Sequence, residues 1–228
     1  ENIAVQYQES AKYEIEALRI NSSKSDFAPR LYRNGIVFVS DRKPPYIEDG
    51  IYNPDSIYYR ELYYSEILAD GTQKSPTLFY QDLNDGFHKG PVTFYNNEKN
   101  MVYTRASRSG LGLDKFSLYF TKQAVNCDEW IVLDENGKWS EPQNLGARIN
   151  TSEAEIFPYI TENNTLYFTS SGHGGLGGLD IYEVNLNEIE GEVQNLGFPI
   201  NSNKNDFSIT FDKRGYTGYF SSYRDNGT

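Results

Sequence analysis

The sequence LYFTSS at residues 166–171 is a short apolar run that ends in small polar residues. Three other runs repeat this pattern, namely IVFVSDR at 36–42, MVYTR at 101–105 and GYFSSYR at 218–224. Aligning the end of each apolar run gives intervals of 65, 65 and 52 residues, and the aligned residues are Ser40, Arg105, Ser170 and Ser222. A repeat of this length is typical of proteins that are built from stacked structural units.

A second motif precedes each run and repeats in step with it. It ends in an asparagine, and these asparagines are separated by intervals of 63, 66 and 51 residues: Asn21, Asn84, Asn150 and Asn201. Because the intervals of the two motifs change together, the pair is stronger evidence for a repeat than either motif alone. They define three full units, at about 21–84, 84–150 and 150–201, and a partial fourth unit at 201–228.

The repeat and the composition together predict an all-β fold. The chain has 19 Tyr, 13 Phe and 19 Gly but only one Met, and such residues favour strands joined by tight turns. Each unit reads as about four short strands. A small sheet cannot cover both of its faces alone, so we expect a β-propeller of four-stranded blades, whose last unit either is incomplete in this chain or takes its missing strands from elsewhere.

The sequence divides into two regions. Residues 19–228 carry the propeller repeats, and residues 1–18 form an N-terminal segment. The segment YEIEAL at 13–18 alternates like a strand, which favours a closing strand that completes the last blade. The alternative is that this segment is the end of a preceding domain.

Charge and hydropathy exclude several classes of protein. The formal net charge is −11, which argues against nucleic-acid binding because that function needs clustered positive charge. No apolar run approaches the roughly 18 residues of a spanning helix, so we expect no transmembrane segment. The single cysteine, Cys127, excludes an internal disulfide.

Motifs for cofactor, metal or catalytic chemistry are weak. GHGGLG at 172–177 matches the dinucleotide fingerprint, but a predicted strand follows it where the fingerprint needs a helix. His88 and His173 are far apart and lack the spacing of zinc ligands, and we expect His173 to be exposed. No serine lies in the G-x-S-x-G motif that marks the nucleophile of α/β-hydrolases. We therefore predict no cofactor, no metal site and no enzymatic activity.

Charged residues recur at repeated positions, which favours a scaffold role because catalysis needs a residue only once. Asp26 and Asp206 each precede a phenylalanine and an apolar strand, and Arg42 and Arg224 also match. Asp114 and Asp180 follow similar Gly-Leu motifs. We expect these Asp and Arg residues to pair within or between blades through charge-assisted, bidentate bonds.

Several of these motifs resemble the TolB-like, or WD-repeat-like, propeller repeats of Bacteroidota OmpA-family envelope proteins. The stretches that carry the resemblance are FHKGPVTF at 87–94, NLGARINT at 144–151, EIFPYI at 155–160 and LYFTSSGHGGLGGLDIY at 166–182. The resemblance covers about residues 15–228. It implies a periplasmic or outer-membrane-associated protein, and it offers no catalytic residues to carry over.

The resemblance implies a non-catalytic interaction platform in the cell envelope that serves type IX secretion or another outer-membrane assembly. Its partners would be envelope proteins, and peptidoglycan would bind only through flanking domains that this chain lacks. Candidate contact residues lie in or near variable segments: Tyr58, Tyr59, Arg105, Arg108 and His173. The alternative is a glycan-binding or glycan-cleaving propeller, in which tyrosines stack on sugars and two carboxylates lie about 5 to 9.5 Å apart.

Overall fold

The computed structural model describes residues 17–43, 60–80, 88–108, 114–122, 139–140, 142–188, 191–212 and 214–224. These residues form strands and loops without a helix, which confirms the all-β class. The first seven strands are β1 (Asp26–Tyr32), β2 (Gly35–Ser40), β3 (Glu61–Glu66), β4 (Thr77–Leu78), β5 (His88–Tyr95), β6 (Asn100–Arg108) and β7 (Asp114–Lys122). The others are β8 (Gln143–Asn144), β9 (Glu155–Ile160), β10 (Thr165–Ser170), β11 (Asp180–Asn185), β12 (Gln194–Asn195), β13 (Asp206–Phe211) and β14 (Gly218–Ser222).

The strands form a simple antiparallel meander in each unit. Strands β1 to β4, β5 to β8 and β9 to β12 make three four-stranded sheets in chain order, and β13 pairs with β14 as a hairpin. None of these sheets is closed on itself. The first strands lie next to one another, with β1 against β5, β5 against β9 and β9 against β13.

Strand β6 shows why the sheets stack, because both of its faces are buried. Met101 and Tyr103 join an apolar cluster with Val37 and Leu62 of the first sheet. Val102, between them in sequence, joins a second cluster with Leu166 of the third sheet. Alternate strand residues point to opposite faces, so the middle sheet packs against a neighbour on each side.

A buried ion pair links the first two sheets. Lys89 of β5 lies with its Nζ 3.3 Å from Oε2 of Glu61 in β3, and both side chains are removed from solvent. The backbone N–H of Lys89 also donates to the Arg60 carbonyl at 2.7 Å. Because removing one member of a buried pair leaves an uncompensated charge, this contact requires both residues.

Asn201 links the third sheet to the last hairpin. Its Oδ1 accepts the N–H of Ile181 and its Nδ2 donates to the Ile181 carbonyl, both at 2.8 Å. The same Nδ2 donates to Asn195 Oδ1 at 2.8 Å, and Asn150 donates to Asn144 in the same way at 2.9 Å. At Asn150 and Asn201 the repeated asparagine therefore ties the loop that enters one unit to the fourth strand of the unit before it.

Gly177 lies against the backbone of the next unit, and we expect Gly177→Ala to destabilise the protein. A Cβ at this position would overlap the Lys204 carbonyl oxygen and lie 2.9 Å from that of Ser202. Because the obstruction is backbone, relief needs a shift between units and is expected to cost about 2 kcal/mol. Urea unfolding measures this change, with the exposed neighbour replaced in Leu176→Ala as the control. A Gly177→Ala protein as stable as the parent would contradict the close packing.

Candidate functional site

The first unit holds a cluster of polar side chains at the open end of the β1–β2 hairpin. Asp26 Oδ2 accepts the N–H and the hydroxyl of Ser22, at 2.6 and 2.8 Å. Its Oδ1 lies 2.6 Å from Arg42 Nη2. The same Nη2 donates to the Ile20 carbonyl at 2.9 Å, and Nε donates to Ser40 Oγ at 2.9 Å. We call this arrangement the hairpin cluster.

The last hairpin repeats the hairpin cluster. Asp206 Oδ2 accepts the N–H and the hydroxyl of Ser202, at 2.6 and 2.7 Å, and its Oδ1 lies 2.7 Å from Arg224 Nη2. Arg224 also donates to Ser222 Oγ and to the Ile200 carbonyl. The structure thus brings together both Asp–Arg pairs singled out in the sequence. Each lies within one hairpin rather than between sheets, and each has one ion-pair contact rather than a bidentate one.

In the third unit a histidine makes the contact with an isoleucine carbonyl that the arginine makes in the first and last units. Glu155 accepts hydrogen bonds from Thr151 and from Ser170. Thr151 corresponds to Ser22, which donates to Asp26 in the first unit. His173 Nε2 lies 2.9 Å from the Ile149 carbonyl, and its ring lies 5.6 Å from Phe168. The expectation that His173 is exposed was therefore wrong: the side chain is half-buried because its ring packs against Phe168 and Tyr182 and its Nε2 bonds to the Ile149 carbonyl.

The second unit departs from this pattern and corrects the sequence alignment. His88 pairs with Ala106 as Asp26 pairs with Ser40, so Ala106 rather than Arg105 occupies the serine position. His88 Nδ1 accepts the N–H of Arg60 at 3.0 Å. Adjacent strand residues face opposite sides, so a shift of one residue places Arg105 on the other face of its sheet.

Asp180 binds backbone rather than an arginine. Its carboxylate accepts N–H groups from Leu176 and Gly177 and the side-chain amide of Asn195. It is therefore the anchor of the glycine-rich loop. Asp114 is not its equivalent: Asp180 lies opposite Ser170, whereas Asp114 lies opposite Arg108, two residues beyond the matching position.

The predicted contact residues lie in several parts of the chain. Tyr58 and Tyr59 lie outside the described residues. Arg105 lies within β6 and Arg108 at its end. His173 belongs to the hairpin cluster of the third unit. Whether these residues form one contact surface stays a prediction.

The hairpin clusters change the acidity of their carboxylates. Burial acts to raise the pKa of Asp26, but hydrogen bonds from Ser22, Arg42 and Ser40 lower it from 3.8 to about 2. For Asp206 burial likewise acts to raise the pKa, and bonds from Arg224, Ser222 and Ser202 bring it below the usual value. The charged form of each carboxylate is thus favoured in the folded protein.

We expect Asp26 to make stability depend on pH in the acid range. Its folded pKa is below the unfolded value of about 3.9, so its contribution is present above pH 4 and disappears as the pH falls towards 2. Asp26→Asn should lower the free energy of unfolding by about 2 kcal/mol at pH 7 and flatten its decline below pH 4. Urea unfolding between pH 2 and 7 measures both effects. The exposed Glu153→Gln is the control, and an unchanged pH slope in Asp26→Asn would count against the cluster.

The first strands of all four units are bulged at the same place. The pairing register shifts in each hairpin, and Ala28, Phe157 and Ser208 have φ values of 52°, 55° and 59° at these bulges. Proline is the second of the two bulged residues in β1, β5 and β9, at Pro29, Pro91 and Pro158. Proline lacks an N–H for a ladder bond, so these edges are unsuited to pairing with a further strand.

The bulges converge on one cavity of about 320 Å³, lined by Phe27, Ala28, Pro29, Arg30, Pro91, Phe157, Pro158, Ser208 and Ile209. Pro29 and Arg30 also line an adjoining cavity of about 1020 Å³, which we call the central groove. Tyr159, Tyr167 and Phe211 form an aromatic wall of the groove, with Phe211 5.7 and 5.0 Å from the two tyrosine rings. Burial and a hydrogen bond with Glu183 raise the pKa of Tyr167 to about 12.

Arg30 and Arg214 are the two arginines that line the central groove, together with the carboxylates of Glu98, Glu162 and Asp212. Arg30 is the one that lies against the aromatic wall. Its guanidinium carbon lies 5.5 Å from the centre of the Tyr159 ring, and no carboxylate of the described residues forms an ion pair with it. Burial lowers the pKa of Arg30, while the interaction with Tyr159 acts to raise it. A guanidinium is always charged and cannot serve as an acid or base, but it binds carboxylates and stacks on flat groups. Pro29, Pro91 and Pro158 lie at equivalent positions of their units, and this repetition is the sequence signal from which the site could have been predicted.

The described residues hold no group of three or more His, Cys, Asp or Glu side chains positioned for a metal ion. Nor does that part of the chain contain a helix long and apolar enough to cross a membrane. In comparisons with family models, with curated proteins and with solved structures, no match to this chain was found. What the groove does is therefore inferred from its own chemistry.

Proposed function

We propose that the chain forms blades of a β-propeller arranged around the cavity between the bulged first strands, next to the central groove. Three features support this arrangement. The four-stranded sheets repeat in chain order, and their first strands are neighbours. The middle sheet is apolar on both faces, as a stacked blade requires. The bulged, proline-containing edges of the first strands line one common cavity, which would lie at the propeller axis.

We further propose that this propeller is a non-catalytic interaction platform, and the central groove is the observation that carries this proposal. A protein contact surface needs rigid aromatic and arginine anchors in a partly desolvated pocket. Arg30 and Tyr159 supply such a pair, with Leu31 beside them 75% exposed. An anionic or aromatic group of a protein partner would fit between the guanidinium and the aromatic wall.

The envelope setting rests on sequence. The motifs at 87–94, 144–151 and 166–182 resemble repeats of Bacteroidota OmpA-family envelope proteins. We therefore propose a periplasmic or outer-membrane-associated location and a role in type IX secretion or another outer-membrane assembly. Flanking domains, where present, would bind peptidoglycan, and this propeller would bind envelope proteins.

Affinity capture from detergent-solubilised envelopes of the native host tests this proposal. The tagged protein is purified with and without muramidase digestion, in the parent form and as Arg30→Glu. We expect a stoichiometric protein partner that survives digestion and whose recovery falls at least about tenfold in Arg30→Glu, since truncating or reversing an anchor of this type is costly. Arg19→Glu is the control, because Arg19 is exposed, lies outside the groove and undergoes the same change of charge.

Two outcomes would contradict the proposal. One is equal recovery of the partner with Arg30→Glu and Arg19→Glu, which would exclude the central groove as the contact site. The other is recovery of wall fragments alone. Thermal unfolding of both variants shows whether a loss of capture reflects a loss of folding.

A glycan-binding role is the second candidate, and the aromatic and acidic lining of the groove favours it. Tyr159 and Tyr167 present rings on which a sugar could stack, and Glu98, Glu162 and Asp212 line the same groove. This hypothesis predicts saccharide binding that is lost in Tyr159→Ala. If the groove also cleaves glycans, turnover should disappear when one of those carboxylates is replaced by its amide.

A further inference from the structure

A third cavity lies between the second and third units, beside the turns that join β5 to β6 and β9 to β10. Its volume is about 360 Å³, which is large enough for a small ligand. Tyr95 and Leu186 line one part of it, and both also pack against the apolar cluster that contains Val102 and Leu166. The cavity is therefore an opening at the border of the core that is packed between the two units.

The rest of the lining is polar. Four of these residues are asparagines, namely Asn96, Asn100, Asn164 and Asn187, and the fifth is Glu162. We call this cavity the asparagine pocket. Among the described residues that line it there is no lysine or arginine, so Glu162 supplies its one formal charge.

The amides on the β9–β10 side of the pocket have fixed orientations and unused hydrogen-bonding capacity. Asn164 Nδ2 donates to Asn187 Oδ1 at 3.0 Å, and Asn187 Nδ2 donates to the Asn163 carbonyl at 3.3 Å. Within the described part of the chain, however, nothing donates to Asn164 Oδ1. The side chains of Asn96 and Glu162 likewise make no hydrogen bond to a described residue. These groups are therefore available to a ligand.

The turn on the opposite side of the pocket has a strained backbone. Asn96, Asn97 and Glu98 have φ values of 53°, 52° and 62°, whereas the β1–β2 and β9–β10 turns have one such residue each. Residues other than glycine normally adopt this left-handed conformation singly, because it is costly. Glu98 holds the turn in place by accepting the N–H of Arg33 at 2.9 Å. Strain of this kind is typical of binding sites, and here the strained turn contributes Asn96 to the pocket.

The chemistry of the lining selects one class of ligand. An anion would meet the carboxylate of Glu162 without a lysine or arginine to balance it, and Ca²⁺ normally takes several carboxylates. A hydroxyl group both donates and accepts hydrogen bonds, as a carboxamide does, and a carboxylate accepts them. Burial raises the pKa of Tyr95 to about 12, while a hydrogen bond from Asn100 acts to lower it, so the phenol is neutral at physiological pH. A neutral ligand with many hydroxyls matches this lining.

We propose that the asparagine pocket binds a neutral saccharide unit. Its hydroxyls would bond to Asn96, Asn164 and Glu162, and the C–H groups of its ring would lie against Tyr95 and Leu186. The pocket is a site of its own beside the central groove, with Glu162 as the one residue that lines both. The proposal does not depend on the platform role of the groove.

Isothermal titration calorimetry of the full chain with D-glucose, D-galactose, D-mannose and N-acetylglucosamine tests the proposal. We expect saturable binding of at least one of these sugars in the millimolar range, as is usual for so small a ligand. Asn96→Gly should weaken this binding about fivefold, because it removes one hydrogen-bonding group while glycine accepts the φ of 53° without strain. Asn97→Gly is the matched control, since Asn97 is exposed, has a φ of 52° and does not line the pocket.

Tyr159→Ala separates the pocket from the central groove, because Tyr159 lines the groove alone. We expect this variant to bind the sugar as the parent does. Absence of saturable binding of all four sugars, or equal binding by Asn96→Gly and Asn97→Gly, would overturn the proposal. So would a loss in Tyr159→Ala with none in Asn96→Gly, which would place the sugar in the groove. Saturable binding of calcium chloride that Asn96→Gly weakens would also overturn it, because the pocket would then be a cation site.

Discussion

Burial of both faces of each small sheet is the constraint on which the rest of the structure depends. Val102 packs towards the third sheet, while Met101 and Tyr103 on either side pack towards the first. A strand with apolar side chains on both faces cannot bury them within its own sheet, so each unit needs a neighbouring sheet on either side. The contacts between units then include polar groups fixed at their borders, such as the Asn201 carboxamide on Ile181 and the Lys89–Glu61 pair.

The hairpin cluster shows that the repeat preserves a set of interactions rather than a set of residues. Arg42 and His173 differ in charge behaviour and length, yet each donates to an isoleucine carbonyl and lies against the phenylalanine of its second strand. The two side chains share an N–H donor and a flat surface, but only the arginine forms an ion pair with the carboxylate of its unit. The acidic residue also differs between units: Glu155 stands where the first unit has Asp26, and it accepts hydrogen bonds from the hydroxyls of Thr151 and Ser170.

The central groove follows from a local irregularity that is repeated. A bulge adds a residue to each first strand, and proline in three of them prevents a regular ladder at the exposed edge. These edges are therefore free to line a cavity instead of pairing with one another. Arg30 gains its position in the same way, because the bulge directs the chain so that its guanidinium lies over Tyr159 from another sheet.

The sequence by itself determined the all-β class, the presence of repeated units and the importance of the Asp–Arg positions, because strand alternation, turn residues and repeat spacing are local properties. It did not determine the register of the second unit, where Ala106 rather than Arg105 matches Ser40. Nor did it reveal the role of His173 or the meeting of Arg30 with Tyr159, 129 residues away along the chain. Only the tertiary structure decided these, because each depends on which face of a strand a side chain occupies and on which units become neighbours.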